Sequence, residues 1–499
     1  MTADRPNVLF VVLDTVRKDH LSVYGYDRPT SPTLESLAEE ARVYEQAVTQ
    51  APWTLPSHAS LFTGLYPSEH GATQEVPYLE GATTLAESLS AAGYATCCYS
   101  SNAWITPYTR LTDGFDDSDN FFKVMPGDVL SGPLARAWKA LNDSDRLRGL
   151  ADTLVAVGAA IPSRLASGEG EDSKTPAVVD RTIDFVERAD ERDQPFFAFV
   201  NLMDAHQPYH PPEEYAEQFA PGVDSSAVVQ SATAFNCGAE TVTDDEWADI
   251  EGLYDAEIRH MDAQLGRLFE YLRGAGLWEE TAVVVCADHG ELLGEHGLYG
   301  HEFNIYEPVV NVPLVVDHPA LAAGRDDRQV ELLDIYHTIL DATDTEGRGV
   351  SLDPRRSLLR EEYRDLDEFP GAGAYGFIEY HRPLVELNQL ESVAASAEID
   401  LDEESRFYSR MRAARRPDAK YIRNERIPDE AYRLDTDPGE GEDLAGSDDP
   451  AIAETEAALA AFEERVGGEW KAVDRGDEDV LGDMGQEAKE RLRDLGYVE

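Results

Sequence analysis

The chain has 499 residues, of which 42% are hydrophobic and 9% aromatic, so it is too apolar to be disordered throughout and long enough to bury a large core. Lys and Arg total 42 against 98 Asp and Glu, a formal net charge of −56, which argues against nucleic acid or an anionic membrane as the main partner because their phosphates would be repelled. Only 7 of the basic residues are Lys, and such an acid excess with scarce Lys suits a halophilic protein, kept soluble in concentrated salt where the Debye length falls to about 3 Å at 1 M.

The N-terminal run Asn7 to Leu13 is continuously apolar, as expected of a strand buried on both faces of a parallel sheet. It is short, ends at Asp14 and lacks a small-residue cleavage site, so it reads as a first strand and not as a signal peptide. No stretch reaches the roughly 20 apolar residues that span a bilayer, and the chain is expected to be cytoplasmic. Ser31-Pro32 opens a helix with acids in its early turns. Pro56 and Ser57 precede a second apolar helical run, which sets Thr54 at a helix N-terminus, where the positive dipole end favours an anion. Thr54 or Ser57 could equally be a simple cap there. A helix over 83–92 leads through Gly93 into a strand ending at Ser100, in which Cys97 and Cys98 point to opposite faces. The four Cys are too few and too irregular for a disulfide framework or a zinc cluster and read as core.

Further along, a helix over 177–189 precedes a strand at 196–202, and a long amphipathic stretch over 244–273 precedes a strand at 281–288. Residues 312–316 form another strand and 330–342 another helix. Strands alternating with helices imply a doubly wound α/β protein with a parallel sheet. After residue 345 the strands shorten, at 373–380 and on either side of an RRPDAK turn. Residues 128–175 and 444–485 read as irregular, polar surface segments.

In open α/β sheets, ligands bind at the carboxyl ends of the strands. Three strand ends here carry groups able to hold a cation: Asp14, the pair Asp288-His289, and the Met203-Asp204-Ala205-His206 segment. Two carboxylates and an imidazole from separate strand ends make a divalent-cation site, whereas Asp204 reads as a turn residue. Hard oxygen ligands with one imidazole suit Ca²⁺, Mg²⁺ or Mn²⁺, with Zn²⁺ compatible.

The residues that carry these features resemble those of the sulfatases of the alkaline phosphatase superfamily. LDTVRKDHLSVYGY (13–26) looks like their first metal segment, and TLPSHASLFTGLYPSEHG (54–71) like their Cys/Ser-x-Pro-Ser-Arg nucleophile signature. VVVCADHGELLGEHG (283–297) resembles the second metal segment, and GHEFNIYEPVVNVPLVV (300–316) the stretch after it. YRLDTDPGEGEDL (432–444) is similar to their Tyr-x-Leu-x-x-Asp-Pro-x-Glu segment. The resemblance implies an alkaline-phosphatase-like doubly wound, mostly parallel sheet. It divides the chain into a catalytic α/β domain (1–345), a smaller C-terminal α+β region (346–445) and an acidic tail or helix (446–499).

It also implies an ester hydrolase with one divalent cation held by Asp14, Thr54, Asp288 and His289. The departures are chemical. Thr54 stands where the family carries a Cys or Ser that is oxidised to formylglycine, and oxidising a secondary alcohol would give a ketone; Thr54 would therefore attack with its own oxygen. His58 replaces the signature Arg, and the first metal segment has one Asp where many sulfatases have two. Asn102 resembles the Asn of phosphonate and phosphodiester hydrolases, and His301 stands near a Lys that usually contacts the sulfate. His206 is the expected acid for the leaving oxygen, His301 the group stabilising charge or aiding release of the Thr54 adduct, and Asn102 and His58 the donors that orient nucleophile or ester. The expected partner is a small-molecule sulfate or phosphate ester. Phosphodiester or phosphonate hydrolysis, group transfer to an alcohol, and an idle binding domain are the rival readings.

Overall fold

The apolar run at the N-terminus forms strand β1 (Asn7–Leu13), and all but its first residue are buried. The structure, a computed structural model, describes residues 5–74, 76–121, 173–360 and 374–467. The other strands of the main sheet are β2 (Arg42–Val48), β3 (Ala95–Ser100), β4 (Asp117–Asn120), β5 (Phe196–Leu202), β6 (Thr281–Cys286), β9 (Asn311–Asp317) and β10 (Gly324–Glu331); β7 (Leu292–Leu293) and β8 (Tyr299–Gly300) form a small hairpin. The eight strands lie in the order β10-β2-β9-β6-β1-β5-β3-β4. β1 sits at the centre, parallel to β5 on one side and to β6 on the other. Helices pack on the sheet, so its central strands are buried on both faces, and this is why they read as unbroken apolar runs.

Two features depart from the expected parallel pattern. Strand β9 is antiparallel to both β6 and β2. Between β6 and β9 the chain carries a hairpin and the short helix Glu307–Val310 but no crossover helix, and it turns back to run in the opposite sense. The outer strands β2 and β10 were not legible. β10 is the edge strand GRDDRQVE, whose many charged residues hide the periodicity. Its last residues occupy 330 and 331, so the helix expected from 330 runs over Asp334–Ala342.

The other predicted elements hold with small shifts: the helices span Pro32–Ala38, Thr54–Thr63, Leu85–Ala91, Thr175–Asp190 and Asp244–Ala275. All four Cys are buried free thiols. A second, antiparallel sheet follows, in the order β11 (Gly376–Tyr380), β12 (Met411–Arg416), β13 (Ala419–Asn424), β14 (Glu430–Tyr432). The β12–β13 turn is the expected one. Against the expectation of an irregular segment after 444, Pro450–Val466 is a helix; the Asp449 carboxylate accepts from the amides of residues 451 and 452, and Pro450 supplies a favoured first position. Leu459 and Phe462 of this helix pack against Tyr66, Tyr421 and Phe377. The expectations for residues 128–172 and 468–485 lie outside the described residues.

The two sheets are joined by a buried charge cluster. Arg415 of β12 donates to Glu307 at 2.9 Å, and Lys420 of β13 donates to Glu440 at 2.9 Å and to Glu307 at 3.3 Å. Removing one member of such a cluster typically costs about 3–5 kcal/mol, because its partner remains buried and unpaired. Among the described residues no helix is long and apolar enough to cross a membrane.

Candidate active site

The carboxyl ends of β1, β3, β5 and β6 converge, and the turns after them carry the chemistry. β1 leads into Asp14, whose N–H donates to the Leu202 carbonyl at the end of β5, 2.8 Å away. Thr15 follows in the left-handed region at φ 58°, and its N–H donates to Asp288 Oδ1 at 3.3 Å. Asp288 Oδ1 also accepts from the His289 N–H at 3.0 Å. Gly290 is required by space: a Cβ there would lie 2.1 Å from the Pro308 carbonyl oxygen. The loop after β6 thus lies flat against the segment preceding β9 and aims Asp288 and His289 at Asp14.

One ligand atom each from Asp14, Asp288 and His289 lie within 4.8 Å of one another, and all three residues are buried. Asp14 Oδ1, Asp288 Oδ2 and His289 Nε2 have no hydrogen-bond partner, although each residue's other polar atoms are engaged. Unpaired buried carboxylate oxygens are costly. Two of them and an imidazole lone pair facing one point fit a divalent cation, so the residues present suit the expected group. The His289 Nδ1–H donates to the Gly290 carbonyl at 3.0 Å, which leaves the lone pair on Nε2. Burial and the charge on His301 hold that imidazole well below its ordinary pKa and keep it neutral. Burial pushes the Asp288 carboxyl well above the usual carboxylate range, with Asp14 adding to the rise.

Thr54 is the first residue of its helix, after an extended Trp53, and lies at the positive end of the helix dipole. Neither Thr54 nor Ser57 acts as a cap. No side chain caps this helix, and the Ser57 hydroxyl donates to the Asp288 carbonyl at 2.9 Å. Thr54 is tied to Asp14 through Asn102, whose Nδ2 donates to Asp14 Oδ2 at 2.7 Å and to Thr54 Oγ1 at 3.1 Å. Asn102 is itself held by the Trp104 N–H, which donates to its Oδ1 at 2.8 Å. His58, one helical turn on from Thr54, donates from Nδ1 to the Thr54 carbonyl at 2.9 Å, and the same nitrogen lies 3.5 Å from Asp288 Oδ2. Its ring packs edge-on against Phe62 and Phe199, so His58 holds the Thr54 backbone from a fixed ring. Burial lowers its pKa to about 4.

A sulfatase family profile matches residues 6–345. The chain belongs to the sulfatase family. An arylsulfatase of Clostridium perfringens is 26% identical over 366 residues, covering 68% of this chain and 74% of that one. A choline-sulfatase of Rhizobium meliloti is 22% identical over 486 residues, covering 94% and 88%. Among solved structures, a phosphonate monoester hydrolase of Agrobacterium radiobacter superposes with a TM-score of 0.64 at 21% identity, covering 93% of this chain and 95% of that one. The sulfatase-family fold and the sulfatase-like class of ester hydrolase are therefore established for the chain.

The cleft of this sulfatase is lined by Trp53, Thr54, Asn102, His206 and His301 together with Glu302 and Glu386. The His301 ring lies 4.4 Å from that of His289 and 5.4 Å from that of His206. Its Nε2 is 3.3 Å from Glu302 and its Nδ1 3.6 Å from Glu291. Burial opposes its charge, but Glu302 and Glu291 outweigh burial and push its pKa up to about 10, which favours the imidazolium form. The His206 Nδ1 donates to the Gln207 carbonyl at 2.8 Å. Asp204 is directed elsewhere, to the Thr175 hydroxyl and toward His260.

Sequence reasoning missed several residues. Asn201 Nδ2 donates to Asp14 Oδ2 at 3.1 Å and to Ser100 Oγ at 3.2 Å. Its signal was a single amide near the end of the apolar strand FFAFVNL. Glu291, two residues beyond His289, was a visible acid without a visible partner. Glu386 comes from the helix Leu384–Ser396, and nothing near it in sequence marks it.

Proposed function

We propose that this sulfatase-family chain is a divalent-cation-dependent hydrolase of sulfate or phosphate esters with Thr54 as its nucleophile. The observation that carries the reading is Asn102, whose one amide group is hydrogen-bonded to both the Thr54 hydroxyl and the Asp14 carboxylate. A hydroxyl so fixed stands beside the one cluster of described residues built like a cation site. Ca²⁺, Mg²⁺ or Mn²⁺ would be held by Asp14, Asp288 and His289 with Thr54 beside them. When bound, the cation supplies polarisation of the ester and a lowered pKa for a hydroxyl that is a weak nucleophile on its own.

The chain's own residues do the rest. His58 and Asn102 hold Thr54 from its carbonyl and its hydroxyl, which limits the ways Oγ1 can point. Thr54 Oγ1 loses its proton to solvent and attacks the sulfur or phosphorus, and the bond to the alcohol oxygen breaks. His206 gives that oxygen its proton. The His301 imidazolium offsets negative charge gathering on the transferring group. Water then attacks the Thr54 ester and the hydroxyl is restored. Two inversions give net retention at the transferred atom.

A threonine that attacks directly, with Asn102 beside it, favours phosphorus esters as a second reading within the same site. The test is turnover of aryl sulfates, aryl phosphates and a phosphonate monoester in high salt, with and without chelator. Thr54→Val should abolish turnover, and stalled wild-type enzyme should carry a Thr54 adduct whose mass tells sulfate from phosphate. Turnover that survives Thr54→Val or full cation removal overturns the proposal; inversion of a chiral thiophosphate overturns the two-step course.

A further inference from the structure

We infer that the ester taken by this site carries a positively charged nitrogen on its alcohol portion. The inference deepens the function proposed above and rests on it. The cleft onto which Thr54 opens is also lined by Trp53, Trp104, Tyr380, Gln74, Glu302 and Glu386. Two carboxylates in a cleft meant for an anionic ester need a reason. A divalent cation answers the charge of Asp14 and Asp288. His301 already lies between Glu302 and Glu291. Glu386 then stands without a countercharge. It is buried, accepts a hydrogen bond from the neutral Gln74 amide, and forms no ion pair among the described residues. Gln74 is in turn fixed by the Val385 N–H, which donates to its Oε1 at 2.7 Å, so the amide cannot turn away. Burial, with Glu302 adding to it, pushes the Glu386 carboxyl up to about 7.

The aromatic lining is the second, independent observation. Trp53 and Trp104 meet edge to face at 5.4 Å between ring centroids. Trp53 is buried, and its indole N–H has no hydrogen-bond partner although it borders the cleft. An orphaned indole donor beside the nucleophile suits an ester oxygen, while ring faces and nearby carboxylates suit an ammonium group. A cationic alcohol portion would give Glu386 the ion-pair partner that it lacks among the described residues. A zwitterionic ester matches both signs of charge in one cleft. A quaternary ammonium and a protonated amine share this chemistry, and the test separates them.

Binding to the full-length Thr54→Val protein loaded with Ca²⁺ or Mg²⁺ can be measured by calorimetry, so that turnover is not required. The probes are choline sulfate, aminoethyl sulfate and the uncharged isostere dimethylbutyl sulfate, with the three corresponding phosphate monoesters. At least one of the cationic esters should bind at least about tenfold tighter than the uncharged one. Preference for choline over aminoethyl would assign a quaternary ammonium, and the reverse a protonated amine. Glu386→Gln should collapse the difference. Trp104→Leu, which leaves both carboxylates in place, should reduce it and serves if Glu386→Gln does not fold. Equal binding of charged and uncharged esters, no binding of any, or a preference that survives both variants overturns the inference. Wild-type protein that binds the cationic esters selectively yet turns over none would instead overturn the hydrolase reading and leave the recognition standing.

Discussion

Asn102 decides more than any other residue whether the geometry is productive. Its amide donates to the Asp14 carboxylate and to the Thr54 hydroxyl at once, which a hydrocarbon side chain cannot reproduce. Asn102→Ala should lower kcat by about 100-fold or more, the cost typical of losing one preorganised donor, while KM changes less. Steady-state kinetics on an aryl ester check this. A second residue-scale prediction concerns acid stability. His70 is buried, its Nδ1 accepts from the Ala72 N–H at 3.1 Å, and its Nε2 meets Ser60 at 3.2 Å. Burial, with His381 adding to it, lowers its pKa to about 3. A folded-state pKa below the unfolded 6.5 means that the neutral ring stabilises fully above pH 6.5 and that this contribution is lost as pH falls toward 3. Denaturation midpoints should decline over that window, and the decline should be shallower in His70→Gln. Thr54, Asp14, Asp288 and His289 were readable from the chain because each follows an apolar strand or opens a helix. The hydrogen bonds that give them roles were not, since Asn102 and Thr54 are 48 residues apart.

At the scale of elements, the loop between β6 and β9 matters most. It holds Asp288 and His289 at one end and presents Glu291, His301 and Glu302 within a few turns. Gly290 is its pivot, because any side chain there runs into the Pro308 carbonyl. Gly290→Ala should destabilise the fold by about 1–3 kcal/mol and weaken cation affinity, since the backbone must move where both ligands are attached. Thermal unfolding and calorimetric titration of the cation measure the two effects separately. The central strands β1, β3, β5 and β6 were legible because a strand covered on both faces must be apolar throughout. Strands β2 and β10 were missed because they lie toward a sheet margin where charged residues are tolerated. The sense of β9 was missed because strand direction depends on how the connection returns, and an apolar run carries no mark of direction.

For the whole molecule, charge is the dominant quantity. A formal net charge of −56 repels itself in dilute buffer, and the repulsion weakens as the Debye length falls from about 10 Å at 0.1 M to about 3 Å at 1 M. The unfolding midpoint should therefore rise steeply between dilute buffer and molar NaCl or KCl. A midpoint independent of salt over that range would remove the reading of a halophilic protein. Composition, the apolar strands and the ordered motifs by themselves determined the fold class, the family and the strand ends at which a site must lie, because burial and backbone geometry write those features locally. Only the tertiary structure decided that Asn102 joins Thr54 to Asp14, that His301 lies between Glu291 and Glu302, and that Glu386 enters the cleft from a helix nearly 100 residues beyond His289. Those are consequences of which groups face one another through space, and Coulomb and hydrogen-bond energies depend on distance in the folded chain, not on position along it.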